Sequence, residues 1–77
     1  MNQPKLKPFI ITAKAFDRGF AVAVPLGVAL VPNKDSAWQE GIARWPNCVI
    51  LEPQVWEDVP PPIRLFALEA DRQNFSL

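Results

Sequence analysis

The stretch that decides the fold is residues 9–31, FIITAKAFDRGFAVAVPLGVALV, where β-branched and aromatic residues are dense enough to favour strands over helices. The sequence DRG at 17–19 predicts a tight turn, because Gly19 can adopt the positive φ that closes a short hairpin loop. The sequence PLG at 25–27 predicts a second turn, which would give three antiparallel strands. The alternative is one long strand that bulges at Pro25, with the proline then at a sheet edge.

Residues 32–77 predict two helices and one further strand. Ser36 and Gln39 fit a capping box at the start of the first helix. Three apolar residues of that helix would form a single inward stripe: Trp38, Ile42 and Trp45. The short apolar run 48–51 predicts a buried strand. Residues 63–73, after three prolines, predict the last helix, with an inward face formed by Ile63, Phe66, Ala67 and Ala70.

The predicted order of elements, β-β-β-α-β-α, indicates an α+β domain with a small antiparallel sheet and two helices packed on one face. Residues 1–8, with prolines at two positions, are expected to form an extended N-terminal arm. Residues 9–77 are expected to form a single α+β domain, since 77 residues leave room for one modest core.

The composition excludes the commonest kinds of catalytic and metal site. The sequence has no histidine, which removes the usual catalytic triad and the usual transition-metal ligand. The single cysteine, Cys48, opens an apolar run and is expected to be a buried structural thiol. Glu52, Glu57 and Asp58 are expected to be a solvated acidic rim. We therefore expect a protein without enzymatic activity, cofactor or metal, located in the cytoplasm.

Charge is distributed unevenly along a chain whose formal net charge is zero. Residues 1–34 carry five basic and one acidic side chain, a net charge of +4, and residues 35–77 carry three basic and seven acidic ones, a net charge of −4. The basic half contains the candidates for an alternative function, binding of single-stranded nucleic acid: Lys5, Lys7, Lys14, Phe16 and Arg18. A pI near 6.1 makes nucleic acid the less favoured partner.

Surplus aromatic residues favour a protein partner instead. Trp56 lies between the predicted helices in a segment without periodic apolar partners, and tryptophan is common in binding hot spots. Its alternative role is a local cap that folds back onto the prolines. The residues predicted to contact a partner are Trp56, Glu57, Asp58, Phe75 and Leu77. We therefore expect a protein-binding module, acting as a subunit, adaptor or inhibitor of a larger assembly, that can also form a homodimer.

Overall fold

The computed structural model describes residues 5–75, with side chains as far as Gln73. Within that range it contains a four-stranded antiparallel sheet and two α-helices, which confirms the predicted α+β class. In chain order the elements are β1 (Lys7–Asp17), β2 (Phe20–Val31), α1 (Lys34–Arg44), β3 (Val49–Ile50), β4 (Gln54–Val55), a 3₁₀ turn (Trp56–Asp58) and α2 (Pro61–Phe75). Over these residues, neither helix has the length and apolar character needed to cross a membrane.

β1 and β2 form one long antiparallel hairpin, and β2 runs without a break through Pro25. Ile11 pairs with Gly27 and Thr12 pairs with Pro25, so Leu26 is the extra residue of a β-bulge. β2 lies at the edge of the sheet, where a proline can face away from the neighbouring strand. The second predicted turn is therefore wrong, and the alternative of one bulged strand is correct.

The two helices cover opposite faces of the sheet, which corrects the prediction that both pack on one face. Phe9 and Ile11 of β1 point towards α1 and pack in a cluster with Ala37. Ile10, between them, points to the other face and packs in a cluster with Ala67 of α2. Successive side chains of a strand alternate between faces, so a run of three buried apolar residues needs a covering layer on each side. The sheet is therefore the middle one of three layers.

Small residues form the inward face of α1. Ala37 and Gly41 are buried, and a Cβ added at Gly41 would lie only 2.9 Å from Cγ2 of Ile11. Glycine thus allows the helix to approach the sheet closely. Of the predicted inward stripe of large residues, Trp45 packs against the core cluster, whereas Trp38 is half-buried outside that cluster and Ile42 is exposed, so the stripe is wrong as a continuous face.

The boundaries of the elements differ from the predicted ones by a few residues. α1 is capped by Asn33, whose side-chain oxygen accepts a hydrogen bond from the backbone N–H of Ser36 at 2.8 Å. The cap predicted at Ser36 is thus replaced by one three residues earlier. α2 begins at Pro61, a position that suits proline because the first N–H groups of a helix have no partner in the helix. β1 begins at Lys7, within the segment 1–8 that was expected to be an arm.

Candidate protein-binding surfaces

The end of the β1–β2 hairpin projects beyond the rest of the sheet. β3 pairs with β1 only at Ala13 and Lys14, and in the described part of the chain no third strand accompanies the hairpin beyond them. The turn residues Arg18 and Gly19 have φ values of 52° and 85°, the two positive values of a type I′ turn. The large apolar side chains exposed at this end are Phe16, Phe20, Val22 and Val24.

The hairpin end also exposes a backbone edge, which we call the free edge and define as residues 20–24 of β2. In a type I′ turn the N–H of Phe20 donates back across the turn, so by alternation the backbone groups of Ala21 and Ala23 face away from β1. None of the twelve residues of β2 is charged. Natural edge strands are commonly protected by charged residues, prolines or covering elements. Residues 20–24 carry neither charge nor proline, so this edge can accept another strand.

Two side chains close the same edge farther along, at Val28. Asp71 Oδ1 accepts a hydrogen bond from the Val28 N–H at 3.3 Å, and Arg44 Nη1 donates to the Val28 carbonyl at 3.2 Å. Arg44 Nη2 also donates to Asp71 Oδ1 at 2.9 Å, which joins α1 to α2 around the strand. We call the side chains of Arg44 and Asp71 together the edge clamp. Glu40 lies 3.4 Å from Arg44 Nη1, so the clamp together with Glu40 has a net charge of −1.

A groove of about 600 Å³ lies between the sheet and the first turns of α2, on the face opposite α1. We call it the α2 groove. Most of its lining residues are apolar: Thr12, Ala23, Pro25, Leu51, Glu52, Gln54, Val59, Pro60, Ile63 and Phe66. Phe66 is 62% exposed, whereas the next residue, Ala67, is buried against the sheet. The prediction that Phe66 faces inward is therefore wrong, because the small Ala67 brings the helix close to the sheet.

Trp56 is half-buried and packs against the cluster around Ile10. Arg64 Nε donates to the Trp56 carbonyl at 2.9 Å, and the guanidinium lies 5.6 Å from the centroid of the indole ring. Glu57 and Asp58 are exposed in the same 3₁₀ turn. The structure thus places the acidic pair beside a partly exposed indole, and the predicted role of these three residues in binding stays a prediction.

The other two residues of the predicted contact group lie at the end of the chain. Phe75 is the last residue of α2. Leu77 lies outside the described residues. The contribution of this end to binding therefore also stays a prediction.

The basic residues of the nucleic-acid alternative do not come together. Lys5 and Lys7 lie at one end of β1, whereas Lys14 and Arg18 lie at the other. At about 3.3 Å per residue, Lys7 and Lys14 are separated by roughly 23 Å along the strand. Lys14 does lie over the ring of Phe16, with Nζ 5.5 Å from the centroid. One lysine–phenylalanine pair is short of the continuous basic groove that tracks a nucleic-acid backbone.

The remaining reactive side chains are dispersed over the surface. Cys48 is exposed in the loop between α1 and β3, which corrects the prediction of a buried thiol. Lys34 Nζ donates to Glu52 Oε1 at 2.6 Å, and this hydrogen bond, together with the charge of the carboxylate, raises the pKa of Lys34 above its ordinary value of 10.5. Among residues 5–75, the structure contains no group of three acidic or cysteine side chains placed to hold a metal ion.

The sequence favoured an open sheet edge without locating it on β2, and it did not predict the edge clamp or the outward position of Phe66. The only sequence signal for the free edge is the absence of charge across β2, since a protected edge strand usually contains a lysine or another charged residue.

Comparison of the chain with protein-family models, with curated proteins and with solved structures found no match.

Proposed function

We propose that this protein is a small non-enzymatic protein-binding module that acts in the cytoplasm as a subunit, adaptor or inhibitor of a larger protein assembly. The observation that carries the proposal is the α2 groove, with the exposed Phe66 at its rim. Concave, mostly apolar surfaces bind ligands by excluding water, and a few large side chains supply most of the binding energy at protein interfaces. Leu65 and Leu68 are two further exposed apolar residues of α2, outside the lining of the groove.

The acidic 3₁₀ turn directly precedes Val59 and Pro60, two residues that line the groove. Glu57 and Asp58 lie in the 3₁₀ turn, between β4 and the start of α2. Charged side chains at the rim of an interface contribute to orientation and association rate more than to affinity. We therefore propose a partner that places an apolar side chain in the α2 groove and basic side chains next to Glu57 and Asp58.

Phe66→Ser is expected to weaken partner binding by about 30-fold, the equivalent of a 2 kcal/mol hot spot. The matched control is Ile42→Ser, which removes an exposed apolar side chain from α1, on the opposite side of the sheet. Wild-type protein and both variants are immobilised and exposed to an extract of the source cells, and a retained protein is then purified for affinity measurement. A partner that binds Phe66→Ser and wild type equally well would contradict the proposal.

The double variant Glu57→Gln/Asp58→Asn is expected to slow association several-fold and to make the rate less sensitive to salt. It leaves the fold intact, because Arg64 donates to the backbone carbonyls of residues 56 and 57 and not to the acidic side chains. The measurement is the association rate at several salt concentrations, with Glu69→Gln on α2 as the control. Equal salt dependence in the double variant and wild type would exclude the acidic turn from the contact surface.

A further inference from the structure

We propose that two copies of this protein form a homodimer by antiparallel pairing of their free edges, with the two-fold axis at Val22. The two hairpins would then join the two sheets into one continuous sheet of eight strands. This proposal concerns a different surface from the α2 groove and does not rest on the function proposed above.

The free edge is complementary to itself in this register. Phe20 of each copy lies opposite Val24 of the other, Ala21 lies opposite Ala23, and Val22 lies opposite Val22. On one face of the joined sheet the large side chains thus lie opposite large ones, and on the other face the alanines lie opposite alanines. The backbone groups that face outward, at Ala21 and Ala23, are the two that an axis at Val22 brings together as hydrogen-bonded pairs.

The charges at the two ends of the free edge are also complementary. Arg18 lies in the hairpin turn, and Lys14 and Asp17 lie in the last four residues of β1; together these side chains have a net charge of +1. In the proposed register Gly19 lies opposite Pro25 of the other copy. Pro25 is three residues before Val28, and a strand rises by about 3.3 Å per residue, so Arg18 lies about 10 Å or less from the other copy's edge clamp. The clamp and Glu40 carry a net charge of −1. Symmetry repeats this contact at the other end of the interface.

The edge clamp also sets the length of the interface. It occupies both outward backbone groups of Val28, so a partner strand cannot extend past this residue. In the proposed register the partner's hairpin turn falls just before Val28. On the other side of the sheet, β3 and β4 are only two residues long and are separated by a segment that contains Pro53, which protects that edge. A two-fold dimer therefore uses the free edge of each copy and leaves no free edge to which a third copy could add.

The test is the mass of the intact protein in sedimentation experiments over a range of concentrations. Wild type is expected at twice 8.6 kDa, and Val22→Lys at 8.6 kDa under the same conditions, because two lysines would face each other at the axis. Leu30→Lys is the matched control: Leu30 is 60% exposed on the same strand, beyond the edge clamp, and this variant should remain dimeric. An equimolar mixture of Val22→Lys and Val22→Glu should regain the double mass.

A cross-linking experiment tests the register independently of any change in folding. Val22 residues that face each other as a non-hydrogen-bonded pair would have Cα atoms about 4.5 Å apart, within the span of a disulfide. In a Cys48→Ser background, Val22→Cys should therefore form a covalent dimer on mild oxidation. A wild-type protein that stays monomeric into the millimolar range, or a Val22→Cys variant that does not cross-link, would overturn the proposal. A monomer whose Val22→Lys variant loses a different protein partner would also overturn it, since the edge would then take a strand from that protein.

Discussion

Ile10→Ala and Ile11→Ala are each expected to lower the free energy of unfolding by about 2–5 kcal/mol. Both side chains are completely buried in β1, yet they lie on opposite faces of the sheet. Ile11 packs beneath Gly41 of α1, and Ile10 packs with Ala67 of α2. Each substitution therefore removes methyl groups from a different cluster, and each leaves a cavity that the close-packed helix above it cannot fill.

The measurement is urea unfolding of both variants at one fixed protein concentration, since self-association would make the midpoint depend on concentration. Leu30→Ala is the control, because Leu30 is an exposed aliphatic residue of the same sheet and its loss should change stability by only about 0.5 kcal/mol. If either isoleucine variant were as stable as Leu30→Ala, the helix that covers that face would not be packed against the sheet.

The two-sided burial of β1 was present in the sequence as the run Phe9-Ile10-Ile11, which does not alternate with polar residues. A strand with one face in water shows clean alternation, whereas a strand buried on both faces is continuously apolar. The composition of the run was sufficient to predict a strand. It was also an indication that the helices lie on both faces, and the prediction of a single covered face did not take it into account.

The turn at 17–19 and the interruption at 25–27 show where local signals are sufficient and where they are not. Arg18 and Gly19 both adopt positive φ, and a two-residue loop of this kind connects strands directly. Pro25 and Gly27 fit a turn equally well by composition. Their actual conformation depends on β1, which pairs with β2 on both sides of the bulge and so keeps Pro25 and Gly27 within one strand. Pairing between distant residues decided between two structures that the local sequence allows.

The inward faces of the helices were predicted wrongly for one physical reason. The prediction placed large residues, such as Trp38 and Phe66, against the sheet, because apolar side chains at helical spacing usually face the core. The structure places Ala37 and Ala67 there instead. Close packing of a helix on a sheet favours small residues at the points of contact, and the large neighbours are then turned to the sides or towards solvent.

The edge clamp could not have been predicted from sequence at all. Arg44 and Asp71 are 27 residues apart, and each lies at a position where a helix normally presents a solvated charge. Glu40 and Arg44 were correctly spaced for an i,i+4 pair, and that pair is present at 3.4 Å. Only the placement of α1 and α2 on opposite faces brings the two charges together around Val28.

Asp71→Ala is expected to lower the free energy of unfolding by about 2–3 kcal/mol, because it removes the acceptor that the Val28 N–H and the Arg44 guanidinium share. The side chains of Arg44 and Asp71 are only 24% and 25% exposed, so water can replace the lost carboxylate acceptor only in part. Glu69→Ala is the matched control on the same helix. Its carboxylate pairs with Arg72 at 3.3 Å, but the two side chains are 54% and 77% exposed, and the loss should be below about 1 kcal/mol.

Asp71→Asn separates the two contributions of this carboxylate. The amide oxygen can still accept the hydrogen bond from Val28, whereas the ion pair with Arg44 is lost, so the cost should fall between those of Asp71→Ala and Glu69→Ala. All three variants are compared by urea unfolding at the same protein concentration. If Asp71→Ala were no less stable than Glu69→Ala, the pair around Val28 would contribute only as a surface ion pair. A large difference would mean that one side-chain pair replaces the missing neighbour strand of β2 at this point, while residues 20–24 remain open.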